Sequence, residues 1–486
     1  LVSFLGGALA VLLAWLSLDV IQHFVPADIP RFQQIELNGW VLAFSLAIAI
    51  ASGVVAGLWP ALKLSRPDVR GALHAGGRGS TSGAGVRRFL VGAQVALTLV
   101  LLSVSGLVLR SLERMQSAAL GFDVTSTLTF SVALPESRYG GKDSGETANH
   151  EPSPAQRFYQ NLVDQLKTIP GVTNATVSTT PPLSTGWQSS FSAEGVHGLK
   201  DRDRPLAEMA IVSDDYFATL KVPILQGRAF GPQDATGSKV VIVDQAFANK
   251  FWPGQDVLGK RVNWGVTDKD EDNWFTIIGV VPTLRVYGYG EPTVRPQAYW
   301  SLHQFGWLQK VVLVRTAGNP RMLERQIREL FAKLDGDIAL YDVATMQEQV
   351  ESTYQNTTLQ SFLLSLFAGL ALLLALTGLY SIVAYGVSMR RREIGVRMAL
   401  GAQAADVIRL MLGQGMMPLV IGVIVGLAGA FAAGRAIQSQ LYEVSPTDPL
   451  ILAATTALLA LAAALACWMP ARRAANVNPT EALRSE

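Results

Sequence analysis

Apolar and polar positions alternate along this chain on a coarse scale. Six apolar stretches, near residues 1–18, 40–62, 89–109, 359–388, 413–436 and 448–469, approach the ~20 residues a helix needs to cross a bilayer. Between the third and fourth lies a polar stretch, 111–356, with finer patterning. Residues 125–134 place Leu128, Phe130, Val132 and Leu134 on every second position, the period of a strand. Residues 156–169 space Phe158, Leu162 and Leu166 on one helical face, and 172–179 read as a second strand after the Pro170-Gly171 turn. A similar set follows: a strand at 310–315, a helix at 322–334 burying Leu323, Ile327, Leu330 and Leu334, and a closing strand at 338–343. Two such βαβ units predict a split α+β sandwich, with a second subdomain inserted at about 183–305. The insert shows strands at 239–243 and 275–281 and a helix at 245–252. Residues 347–360 run without a break into the fourth apolar stretch, predicting a continuous helix. The expected fold is membrane α-helical, with six transmembrane helices and a large α+β extracytoplasmic domain.

Composition agrees: 49% of the chain is hydrophobic and 16% charged, well below the roughly 25% charged of soluble proteins. The placement of charge sets orientation. Lys63, Arg66, Arg70, Arg78, Arg87 and Arg88 lie between spans two and three, and Arg390, Arg391, Arg392, Arg397 and Arg409 between four and five. Arg472, Arg473 and Arg484 follow span six. Alternating spans put all three clusters on one side, which the excess of Lys and Arg marks as cytoplasmic. The polar domain and the loops at 19–39 and 437–447 then lie outside the cytoplasm. Net charge is +2, so nothing points to a nucleic-acid partner. The one cysteine, Cys467, lies in span six, so the outer domain must hold together by its own core. Residues 1–18 lack the basic region and cleavage site of a signal peptide, and the chain reads as the C-terminal part of a longer protein.

Span two ends in Trp59-Pro60-Ala61-Leu62-Lys63 with Ala72-Leu73 beyond, and span six in Trp468-Met469-Pro470-Ala471-Arg472-Arg473 with Ala482-Leu483 beyond. The shared spacing predicts an internal repeat of the kind transporters use, 1–73 being a partial copy of 413–486. The domain division is then 1–74, two spans ending a first module; 75–88, a Gly/Ser linker; 89–110, one span; 111–356, the outer domain; and 357–486, three spans. The linker lacks the Gly-Lys-Ser/Thr ending of a phosphate loop.

Candidate chemistry is sparse. His23, His74, His150, His197 and His303 are scattered, so no metal and no cofactor are expected. Asp214, Asp215 and Asp234 read as helix-cap and turn residues rather than acid–base groups, and no span carries a central charge for a proton relay. No enzymatic constellation appears. Gly53 with Gly57, and Gly422 with Gly426, allow close helix packing. The informative segment is 391–402. Glu393 and Arg397 stand four apart and can pair, leaving Ile394, Val396, Met398 and Leu400, ahead of Gly401, to bind something else. A cytosolic helix between two spans is a place where an outside motor could push.

Arg391-Arg392-Glu393-Ile394-Gly395-Val396-Arg397-Met398-Ala399-Leu400-Gly401-Ala402 and the terminal Pro470-Ala471-Arg472-Arg473 with Pro479-Thr480-Glu481-Ala482-Leu483-Arg484 resemble the FtsX-like permeases of MacB type. Asp215-Tyr216-Phe217-Ala218-Thr219-Leu220, Gly227-Arg228-Ala229-Phe230 and Val240-Val241-Ile242-Val243-Asp244 are similar to the MacB periplasmic core domain. The repeat resembles duplicated permeases of acidobacterial type. The resemblance implies the membrane subunit of an ABC-type export or mechanotransmission complex, with 391–402 as the helix that touches a separate cytosolic ATPase. Implied partners are that ATPase, a periplasmic adaptor or outer-membrane factor, and a second copy or pseudo-dimer formed through the repeat. The alternative is a regulatory scaffold that activates a periplasmic partner without ATP, as in FtsX itself.

Overall fold

The computed structural model describes residues 6, 12, 39–64, 81–140, 152–183, 186–195, 206–236, 238–264, 274–285, 295–399 and 403–475. They form two units, one drawn from residues 1–114 and 355–486, the other from 115–354.

The 115–354 unit is built on one sheet. Strands β1 (Thr127–Ala133), β2 (Val172–Ser178), β10 (Gln309–Thr316) and β11 (Leu340–Thr345) form one end in the order β11-β1-β10-β2, every neighbouring pair antiparallel. Strand β1 is therefore parallel to β2 but separated from it by β10, and β10 is likewise separated from β11 by β1. Helices α4 (Pro154–Lys167) and α7 (Glu324–Leu334) make the two crossovers. Both press on one face: Phe130, Val132, Val312 and Val314 share a core with Tyr159, Leu162, Leu166, Ile327 and Phe331. Phe130 meets Phe331 edge to face at 5.8 Å. Local sequence starts α4 early, because Ser153 accepts from Gln156 N, Gln156 Oε1 accepts from Ser153 N, and Pro154 occupies the first turn. Gly171, at φ +92°, makes the turn into β2. On the opposite face Leu313 is covered by Tyr216 and Phe217 of α5 (Tyr216–Thr219).

The insert expected at about 183–305 contributes its strands to the same sheet. Strands β3 (Trp187–Ala193), β4 (Leu206–Val212), β6 (Val240–Asp244), β7 (Arg261–Trp264), β8 (Trp274–Val281) and β9 (Gln297–Ser301) pair in the ring β4-β3-β7-β8-β6-β9. A parallel pairing of β9 with β4, Glu208 opposite Gln297 through Val212 opposite Ser301, closes the ring. The result is a six-stranded barrel filled by Phe191, Met209, Ile211, Val243, Phe275 and Trp300. Helix α6 (Gln245–Phe251) plugs it with Phe247, stacked on Phe191 at 4.5 Å, and Asp244 caps that helix by accepting from Phe247 N. Alternation shows only β6 and β8 because the ring strands face a mixed environment; Trp187–Ala193 carries Gln and Ser on its outer side. The short β5 (Gln226–Gly227) adds to β8, and Gly227 at φ +75° lets β8 approach: a Cβ there would overlap the Ile278 carbonyl.

The other unit is helical. Among the described residues four helices are long and apolar enough to cross a membrane: 85–117, 346–389, 416–436 and 449–473. They lie in α2 (Thr81–Ser117), α8 (Met346–Met389), α10 (Ala404–Ala436) and α11 (Pro449–Ala475). The expected span at 1–18 falls almost wholly outside the described residues. The window 40–62 falls in α1 (Gly39–Leu64), where Trp40, Val41, Phe44 and Ile48 are exposed. Helix α2 is the hub, with 56% of its apolar window buried against 17–28% for the other three. Its hydroxyls reach the neighbours: Thr98 donates to the Ala371 carbonyl of α8, Ser105 meets Ser365 of α8 at 3.0 Å, and Ser103 meets Thr455 of α11 at 3.2 Å. In lipid such bonds satisfy groups that have no water to turn to.

A candidate coupling helix at the basic end of the helical unit

Helix α8 runs unbroken to Met389, Arg390 turns the chain, and α9 (Arg391–Ala399) follows. The turn is set by the backbone: Arg390 N donates to Val387 O at 3.2 Å and Ile394 N to Arg390 O at 2.8 Å. Helix α9 is anchored from one side. Ile394 is 3% exposed and joins Val383, Leu379 and Ala471 in the helical core, while Met398 packs against the same cluster. Ile394 and Met398 are thus used for attachment, and among the described side chains of α9 Val396, 41% exposed, is the outward apolar residue beside Glu393 and Arg397. Alternation could not separate these roles, since all lie within a turn or two of each other.

Glu393 holds both neighbouring guanidinium groups: Arg397 Nη2 lies 2.7 Å from Oε1 and Arg390 Nε 4.0 Å from Oε2. These pairs are about half exposed, so each contributes only ~0.3–0.5 kcal/mol to the helix. Their effect is to hold the arginines in place rather than to stabilise the fold. The side chains of Arg391 and Arg392, and Leu400 and Gly401, lie outside the described residues. Helix α10 begins after Gln403, whose N–H donates to Asp406 Oδ2.

The helix ends around α9 are basic and aromatic. Arg87 stacks 4.4 Å over the Tyr385 ring, Arg473 Nη1 donates to Tyr380 Oη at 3.2 Å, and Arg472 covers Trp468 at 5.0 Å. Tyr380 and Tyr385 therefore gather the start of α2 and the end of α11 at the end of α8. Sequence reading missed these two tyrosines; their signal is aromatic residues one turn inside a basic helix terminus. At the opposite end Arg110 is neutralised by Asp448 at 2.6 Å.

The glycines divide. Gly422 and Gly426 lie where α10 crosses α2: a Cβ on Gly422 would stand 2.6 Å from the Gly92 carbonyl oxygen, and one on Gly426 3.0 Å from that of Ala96. Gly53 and Gly57 lie in α1, and their surroundings fall outside the described residues. In the 115–354 unit, Asp215 precedes α5 and pairs with Lys167, while Asp234 accepts two bonds from Arg228. His303 meets Asp214 at 3.1 Å and Gln160 at 3.0 Å. No group of metal-ligating side chains occurs among the described residues.

Residues 92–339 match the family described as MacB-like periplasmic core domain, just over half of the chain, and residues 365–479 match FtsX-like permease C-terminal. The pyoverdine export ATP-binding/permease protein PvdT of Pseudomonas syringae pv. tomato is 27% identical over 293 residues, covering 56% of this chain and 42% of its own. The macrolide export ATP-binding/permease protein MacB of Escherichia coli K12 is 26% identical over 362 residues, covering 72% and 52%. The chain spans about half the length of the curated relatives it matches. The crystal structure of the periplasmic region of MacB from Actinobacillus actinomycetemcomitans aligns over 50% of this chain and 98% of its own, with 15% identity and a TM-score of 0.31.

Proposed function

Since this chain belongs to the family of the MacB-like periplasmic core domain and ends in an FtsX-like permease region, we propose that it is the membrane subunit of an ABC-type export or mechanotransmission complex. It crosses the inner membrane six times, keeps its basic ends in the cytoplasm, and presents the 115–354 unit to the periplasm. A separate cytosolic ATPase pushes on α9, and the push is delivered as movement of the periplasmic unit. Partners are that ATPase, a periplasmic adaptor or outer-membrane factor, and a second copy or pseudo-dimer partner made through the internal repeat.

The observation that carries this reading is the division of α9. Ile394 rivets one side of the helix into the bundle, and Glu393, Val396 and Arg397 stand outwards with their geometry set by the ion pairs. A helix attached in this way transmits displacement to the bundle, whereas a mere orientation signal needs only the arginines. Helix α8 runs unbroken from Met346 to Met389. The test is purification of the full chain from its native membrane, with nucleotide hydrolysis of the copurifying ATPase measured in liposomes. Glu393→Ala with Arg397→Ala should lower the stimulated rate at least fivefold while leaving the chain inserted. Unchanged stimulation removes α9 from the coupling role, and a periplasmic partner activated without nucleotide selects the scaffold reading.

A further inference from the structure

Beside the Gly92–Gly422 crossing a cleft of ≈460 Å³ opens between the first turns of α2 and the first third of the apolar part of α10. That volume is within the ~300–1,000 Å³ of small-molecule sites. Glycines at 85, 92 and 422 leave it open, and Phe89, Met417, Ile421 and Val425 wall it with apolar side chains. The one charged residue lining it is Arg88. Arg88 is exposed and, among the described residues, has no hydrogen-bond or ion-pair partner, whereas its neighbour Arg87 is engaged with Tyr385. An apolar wall and the exposed Arg88 cation therefore meet at the basic end of the helical unit.

We infer that this cleft is a binding site for an acidic phospholipid, one acyl chain lying along the apolar wall and the phosphate resting on Arg88. Three observations favour that occupant. Both helices are apolar enough to cross a membrane, so lipid is the medium around the cleft. The cleft opens near the start of each apolar stretch, at Gly85 and Met417, and runs inwards as far as Val425, as a headgroup followed by an acyl chain would. Among the described residues the cation at its mouth has no protein anion, and basic pockets between membrane helices on the cytoplasmic side recruit anionic headgroups. A second copy of the chain would have to supply a carboxylate to Arg88 to compete. The inference needs only that the helices lie in a bilayer, and it stands or falls separately from ATPase coupling.

Native mass spectrometry of the full chain in detergent tests it, with phosphatidylglycerol and phosphatidylcholine of identical acyl chains added in equal amounts. The first retained lipid should be phosphatidylglycerol by at least ~fivefold, the size of one arginine–lipid attraction. Arg88→Gln should bring the ratio close to one, and Arg88→Lys should keep most of it. Val425→Trp, at a wall position already 57% exposed, should reduce retention of both lipids. Equal retention of the two lipids by the native chain, or an unchanged ratio in Arg88→Gln, overturns the site. Loss of a dimer peak in Val425→Trp assigns the cleft to a second copy instead. Displacement of the lipid by glycerophosphate at equal concentration assigns it to a soluble phosphate; either result overturns the proposal.

Discussion

Lys310 is the most exposed to test of the single residues in the 115–354 unit. It shares its strand face with Val312 and Val314, is 1% exposed, and its ammonium lies 5.6 Å above the Tyr159 ring with no hydrogen-bond partner for Nζ among the described residues. Burial pushes its pKa down to about 7. A lysine whose folded pKa is depressed below its unfolded value (~10.4) destabilises most below the folded value, where it is charged while buried, and the penalty fades as pH rises towards 10. Lys310→Met should therefore stabilise the purified chain at pH 6 by on the order of 3 kcal/mol, a gain that thermal unfolding should show vanishing near pH 10. His303 behaves in the opposite sense. The Asp214 hydrogen bond raises its pKa, so its contribution is present below its unfolded value and lost as pH climbs through the folded one. Asp214→Asn should cost about 1 kcal/mol at pH 5.5 and little at pH 8.5, measured in the same melts. Lys310 was legible in principle, since period-two counting puts it on the buried face; a charge at a strand's first position is instead read as an end marker. The His303–Asp214 contact was not legible, because it joins two loops 89 positions apart.

Helix packing separates glycines that look alike in sequence. A Cβ on Gly422 would stand 2.6–2.7 Å from the Gly92 carbonyl oxygen and Val95, whereas a Cβ on Gly413, in the same helix, meets nothing within 4 Å. Gly422→Leu should force α10 off α2 and lower the melting temperature sharply, a loss of at least ~2 kcal/mol, while Gly413→Ala should be neutral or slightly stabilising. Similar values for the two variants would show that the crossing is loose. Element positions in the outer domain were largely readable from periodicity: a helix read at 156–169 is found at Pro154–Lys167, and a strand read at 310–315 at Gln309–Thr316. Pairing was not readable. Nothing local in β1 or β2 says that β10 will separate them, or that β4 and β9 will meet side by side, because these are contacts between distant segments. In α9 the periodicity showed apolar residues without showing that Ile394 is spent on the bundle.

At the scale of the whole molecule, the proposed orientation assigns each unit a compartment. Single-cysteine variants in a Cys467→Ser background should react from opposite sides: Lys333→Cys, exposed on α7, with an impermeant maleimide added to intact spheroplasts, and Arg397→Cys only after the membrane is opened. Reversed reactivity would reverse the topology, and with it the coupling role of α9. The coarse division into apolar helices and a β-rich domain follows from composition alone; the barrel inside that domain does not. Its arrangement also sets a timetable for biosynthesis. Strand β1 bonds only to β10 and β11, and β2 has a single further pair, Ser178 with Val212. A ribosome that has just finished Ser178 has therefore made two strands with almost no mates, and the ring too stays open until Ser301 emerges. The nascent chain has to be shielded for nearly the whole length of this domain, after which the late-arriving β10 inserts between β1 and β2 and the fold can close.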